Sequence, residues 1–189
     1  SAASDIIVIP TELIENNGAL LKALILKGAE FNGFENEFTV WLHQHVTFCN
    51  SLVDRIVPGK PADDFLLDLQ NKLGYRDNHM IISEPFNLWA IEGDQKVREI
   101  LSFAKADDGI KIVDDISVYK ELKLRLLNAT HILSCGNALI EGHTMVAESL
   151  ENPHFNQMVM LLIDEIKSSI PKDVAESDIT AFAESVIDR

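Results

Sequence analysis

From Ile116 to about Ile140 the chain repeats apolar residues at helical spacing, which makes a long helix its most constraining element. Shorter runs of the same period recur over most of the sequence, so the expected class is mainly α with a few short strands. Within the long helix, the stretch KLRLLNATH (Lys123 to His131) interrupts its leucines with an amine, an amide and an imidazole. At about 100° per residue, Asn128 lies about 140° round from Lys123 and His131 about 80°. All three fall in one broad arc that also holds Leu124 and Leu127, so this arc is expected to face protein rather than water.

The remaining elements follow from composition and punctuation. DIIVIP (Asp5 to Pro10) is a continuous apolar run with β-branched residues stopped by proline, and it reads as a fully buried strand. Asn16-Asn17-Gly18 carries turn chemistry before the helical run ALLKALILKGAEF. A second helix is expected over about 36–48, and NSLVDRIVPGKP then ends in loop signals. ADDFLLDLQNKLG reads as a capped amphipathic helix with acids in its first turn and Gly74 at its end. Residues 80–93 read as strand on both sides of Pro85, VREILSFA as a short helix and GIKIVDD as a strand. Helices are expected around 146–150, 155–169 and 179–187, with Pro171 breaking the last two apart.

Bulk numbers exclude several functions. The formal charge of −14 argues against nucleic acid, whose phosphates need a basic surface, and against an anionic membrane. The longest apolar run, ALLKALIL, is too short to span a bilayer. Cys49 and Cys135 are far apart and form no CxxC pair, so they read as reduced, largely buried thiols of a cytoplasmic protein. His43 and His45 point about 200° apart on a helix and share no metal ion; none is expected. No glycine-rich phosphate loop and no GxSxG elbow occurs.

Lys123, Asn128 and His131 carry the strongest chemistry. A lysine in partly apolar surroundings can accept a proton near neutral pH. An asparagine amide can donate to a developing alkoxide, and a histidine can hydrogen-bond a substrate hydroxyl. A base and two donors around one oxygen suit alcohol–carbonyl interconversion. The same three residue types on a helix are more often solvated or structural.

KLRLLNATH resembles the K-x4-N-x2-H signature of the polyol-specific long-chain dehydrogenases, the mannitol dehydrogenase family. FCNSLVDRIVPG (Phe48 to Gly59), SEPFNLWAIEG (Ser83 to Gly93) and IVDDISVYKELKLRLLNATH (Ile112 to His131) resemble further family blocks in family order, and PTELIENNG (Pro10 to Gly18) resembles the segment leaving the cofactor domain. The ELIxxNG form, the FCNSLVDRIV wording and Lys120 look most like the branch that reduces tagaturonate to altronate. The resemblance implies Lys123 as general base, Asn128 as one arm of an oxyanion hole, Asn17 as the second arm and His131 as substrate-orienting. It also implies that Asp54 lies near the nicotinamide and substrate. Lys120 departs from the mannitol branch, which tends to carry an acid there.

On this resemblance, residues 1–17 would end a dinucleotide-binding domain that is mostly absent. Residues 18–189 would be the helical C-terminal catalytic domain, shortened at its end. The cofactor expected is NAD, bound by the full-length parent rather than tightly by this piece. The partners would be a small sugar acid or polyol and the missing N-terminal domain. Alternatives are fructuronate or mannitol as substrate, or a non-catalytic helical interaction module.

Overall fold

Strand β1 (Ile6–Val8) runs parallel to β2 (Val46–Phe48), with Ile6 opposite Val46 and Val8 opposite Phe48. The computed structural model describes residues 5–34 and 36–189. β1 is not the fully buried strand its composition suggests, because a two-stranded ribbon covers only part of it and Ile6 stays 43% exposed. Its partner was expected to be the last turn of a helix. That helix instead stops at His45, and the β-branched pair Val46-Thr47 continues as strand.

Between these strands lie α1 (Asn17–Phe31) and α2 (Asn36–His45). Phe34, Phe38, Trp41 and His45 form a ladder of rings with centroids 5.4, 6.2 and 6.1 Å apart. A second sheet has the order β3-β4-β5, formed by Ser51–Asp54, Leu88–Glu92 and Ile110–Val113. β3 is antiparallel to β4, and β5 is parallel to it. The central position of β4 leaves Ala90 and Ile91 with no exposed surface.

α3 (Asp63–Leu73) ends as expected at Gly74, whose φ of 77° is costly for a residue with a Cβ. α4 (Gln95–Ile100) starts from Asp94, whose side chain accepts from Val97 N–H at 3.0 Å, and a 3-10 turn (Ser102–Ala106) follows. Only Leu88–Glu92 of the stretch around Pro85 becomes strand. Before it, Ile82 N–H reaches the Gly59 carbonyl and Glu84 N–H the Ile56 carbonyl, and Pro85 has no N–H to extend this ladder. Cys49, Ile91, Val97 and Leu101 form the core of this part.

The chain divides into two compact units between Asp114 and Asp115. The second is helical throughout: α5 (Ser117–Leu122), a π-helical segment (Lys123–Ala129), α6 (Thr130–Ile140), α7 (Val146–Glu151), α8 (Pro153–Ser169) and α9 (Glu176–Ile187). The expected long helix therefore exists but is not uniformly α. Asn152 starts α8 by accepting from the N–H groups of His154 and Phe155, with Pro153 in the first helical position. Leu122, Leu126, Phe155, Val159 and Ile163 anchor the core, joined by Ile170 and Ala183. Cys49 is buried, but Cys135 on α6 is exposed, contrary to the expectation of two hidden thiols.

Candidate functional site

The π-helical turn begins at Lys123 and contains Asn128. An i→i+5 hydrogen-bond ring stacks residues five apart, where α geometry would hold them about 140° apart. His131 follows three residues later in α6, the spacing at which α-helical side chains are neighbours. The spacings of K-x4-N-x2-H thus match the local geometry step by step. A polar row runs along one face of a continuous helical segment.

Burial falls along that row. Lys123 is 9% exposed, Asn128 is half-buried and His131 is exposed. Lys123 lies within the apolar stripe itself, among the buried Leu122, Leu126 and Leu127. Leu124, expected on the protein-facing arc, is 54% exposed, because the buried stripe passes on either side of it. Thr130, at the junction of π and α geometry, is buried with a hydroxyl that has no hydrogen-bond partner. One turn before Lys123, burial pushes the Tyr119 hydroxyl up, and the Asp178 carboxylate adds to the effect.

Asn17 and Asp54 belong to the first unit. Asn17 is buried, and its amide is committed to backbone on both sides. Nδ2 donates to the carbonyls of Pro10 (3.0 Å), Glu12 (3.1 Å) and Ser51 (3.0 Å). Oδ1 accepts from the N–H groups of Gly18 and Ser51, both at 2.9 Å. The side chain expected to reach for a substrate oxygen is spent on holding α1 against the start of β3. Asn50 completes the junction: Oδ1 accepts from Ala19 N–H, and Nδ2 donates to Glu92. Glu92 N–H in turn donates to the Asn50 carbonyl. Sequence reasoning singled out neither Asn50 nor Glu92, although both lie in the quoted blocks FCNS and IEG.

Asp54 is buried at the end of β3, opposite Leu88. The next two residues are tied to Glu84: Arg55 Nε donates to its carbonyl at 3.0 Å, and Ile56 N–H donates to its carboxylate at 2.5 Å.

The described residues offer no cradle for a dinucleotide pyrophosphate. Such a site needs free backbone N–H groups at a glycine turn opening a helix. At α1 the N–H groups of Gly18 and Ala19 are taken by Asn17 and Asn50, and the Cys49–Asn50 backbone fills the space above Gly18. Among the described residues no group of three or more histidine, cysteine or acidic side chains is placed to hold a metal ion. No helix among them is long and apolar enough to cross a membrane.

The family model for the mannitol dehydrogenase Rossmann domain matches residues 2–105, and that for the mannitol dehydrogenase C-terminal domain matches residues 115–189. The second match begins at the structural division between Asp114 and Asp115. The sequence reading gave only residues 1–17 to the cofactor-binding part; the Rossmann-domain match extends to residue 105. Altronate oxidoreductase of Bacillus subtilis is 38% identical over 183 residues, covering 97% of this chain and 37% of that protein. The Pseudomonas fluorescens mannitol 2-dehydrogenase, solved as a ternary complex with NAD and D-mannitol, aligns with a TM-score of 0.66 at 25% identity, over 97% of this chain and 36% of its own. A substrate-free D-sorbitol dehydrogenase shares the fold, with a TM-score of 0.73 at 21% identity over 96% of this chain and 36% of its own. The chain thus spans less than two fifths of the length of these relatives.

Proposed function

The chain belongs to the mannitol dehydrogenase family, and from that premise we propose that its full-length form is an NAD-dependent oxidoreductase reducing the keto sugar acid tagaturonate to altronate. The observation that carries this reading is the row Lys123–Asn128–His131, aligned by a π turn whose i→i+5 spacing is that of the lysine and asparagine. Segments of this kind are often found at functional sites.

In this reading Lys123 gives a proton to the substrate oxygen during reduction and takes one from the hydroxyl during oxidation. Its burial among leucines keeps water from competing for that proton. Asn128 donates an amide hydrogen to the same oxygen as negative charge develops there. His131, at the exposed end of the row, orients a neighbouring hydroxyl. Asn17 enters as a positioning residue, because its amide is engaged with backbone. Asp54 remains a candidate near the substrate.

The hydride belongs to the nicotinamide cofactor. The described residues do not fit its phosphates, so no part of the hydride step is assigned to them. For that reason the isolated 189-residue chain is expected to be inactive.

The choice of sugar acid rests on the 38% identity to an altronate oxidoreductase, against 25% to a mannitol 2-dehydrogenase. The test is NADH oxidation by the full-length protein with tagaturonate, fructuronate and fructose side by side. Preference for tagaturonate supports the proposal. Preference for fructuronate or fructose keeps the chemistry and discards the substrate. No reduction of any of the three discards the reaction.

A further inference from the structure

The polar row extends one step further back. Lys120 lies three residues before Lys123 in α5, so the spacings from Lys120 to His131 run three, five, three across α, π and α geometry. Each step is the one that stacks neighbours in its local geometry. Lys120 is half-buried.

Its position is distinctive among the cations of residues 115–189. Arg125, two residues after Lys123, points to the other side of the helix and donates to Glu121 at 2.5 Å. Lys167 pairs with Asp164 on α8 at 3.5 Å. Lys172 follows Pro171 between α8 and α9, and Arg189 lies beyond α9. Acidic residues outnumber basic ones two to one in this stretch, so an anion is repelled unless a cation is placed for it locally. Lys120 already acts on one carboxylate: Asp115 is held below its ordinary range chiefly by hydrogen bonds from Ser117, and Lys120 contributes to the same shift.

We infer that Lys120 recognises the carboxylate of a keto sugar acid whose carbonyl oxygen is held at Lys123 and Asn128, and so separates such acids from uncharged ketoses. The inference rests on the proposed function for the placement of the carbonyl. In a six-carbon 5-keto acid the carboxylate carbon lies four bonds from the carbonyl carbon, about 5 Å when extended. Side chains three apart on a helix leave it with Cβ atoms about 5–6 Å apart. One lysine can therefore meet the reacting end while the other meets the charged end.

The test is a calorimetric titration of the full-length protein with altronate and with mannitol, NADH present throughout, in the wild type, Lys120→Gln, Lys120→Met and Lys120→Arg. Altronate affinity is expected to fall about tenfold or more in both neutral variants and to recover in Lys120→Arg. Mannitol affinity and the thermal midpoint are expected to hold. Two neutral replacements guard against one that folds poorly. Altronate affinity that survives both, or wild-type protein that binds no altronate, overturns the inference. Tagaturonate reduction alongside surviving affinity keeps the proposed reaction and discards Lys120. Lysine-dependent altronate binding without turnover of any keto substrate keeps Lys120 and discards the reaction.

Discussion

Gly18 meets the Cys49 backbone so closely that a Cβ on it would lie 2.3 Å from the Cys49 carbonyl oxygen and 2.8 Å from the Asn50 nitrogen. Both neighbours are main chain, which cannot swing aside as a side chain would. Gly18→Ala must therefore push α1 away from the start of β3. The expected loss is about 1–3 kcal/mol, the cost of overpacking a filled site. Urea denaturation followed by a probe in the first unit measures it, and an unchanged midpoint would show that the contact is slack.

Asn17→Ala would leave the N–H groups of Gly18 and Ser51 and three carbonyls without their present partner. Buried orphans of this kind cost about 1–3 kcal/mol each, so a total near 3 kcal/mol is expected after partial relaxation. Asn17→Asp should cost at least as much, since it turns a donor facing three carbonyls into an acceptor. A variant that kept its stability but lost turnover would return Asn17 to the role of substrate donor.

Lys123→Ala in the full-length protein is expected to lower kcat by about 10²–10⁴-fold, the range for losing a positioned proton-transfer group. Asn128→Ala should lower it by about 10²–10³-fold with KM little changed, if its hydrogen bond tightens only as charge develops. Steady-state kinetics across pH separates the two. The pH dependence due to the base should vanish with Lys123 and persist without Asn128.

The turn before α7 predicts an acid response. The Glu148 carboxylate accepts from Thr144 N–H (3.3 Å), the Thr144 hydroxyl (3.1 Å) and Met145 N–H (3.3 Å). These bonds, the Thr144 N–H first, hold it below its ordinary range. A carboxylate whose folded pKa is depressed contributes stability above its unfolded value, about 4.3, and loses it as pH falls through the folded value. Thermal midpoints should therefore fall more steeply below about pH 4.3 in the wild type than in Glu148→Gln. Parallel curves would show that the contact does not survive in solution.

The isolated 189-residue chain should fold without turning over NADH and tagaturonate, since positioning the cofactor carries much of such catalysis. Turnover above the buffer rate would mean that the described residues hold a dinucleotide in a way their geometry does not suggest.

Most helices were legible because their apolar periods are regular and their ends are punctuated, as at Gly74 and Pro171. β2 was not, since Val46 and Phe48 continue the apolar phase of α2 and only the parallel ladder to β1 selects the extended form. β3 was hidden for a related reason: four residues are too few to show a period, and β4 supplies their hydrogen bonds from far along the chain. In the candidate site, Lys123, Asn128 and His131 were singled out by their types and spacing, and their roles are those proposed above. The π geometry was assumed away, although a five-residue spacing between functional side chains is its signature. For Asn17 the sequence shows an amide but not the backbone carbonyls of Pro10, Glu12 and Ser51 to which it donates. Exposed Cys135 was misjudged on the average habit of cysteine.

A turn closed over five residues holds one residue more than a turn closed over four. The alignment of Lys123 with Asn128 therefore depends on a count as much as on an identity. Relaxing the π turn to α geometry at the same length would swing the amide about 140° away from the amine, whereas losing a single codon between them would restore an unbroken α-helix at i, i+4 spacing and keep the two side chains neighbours. Among descendants of this sequence, an interval of four would go with plain α geometry and an interval of five with the π turn, the letters K, N and H unchanged.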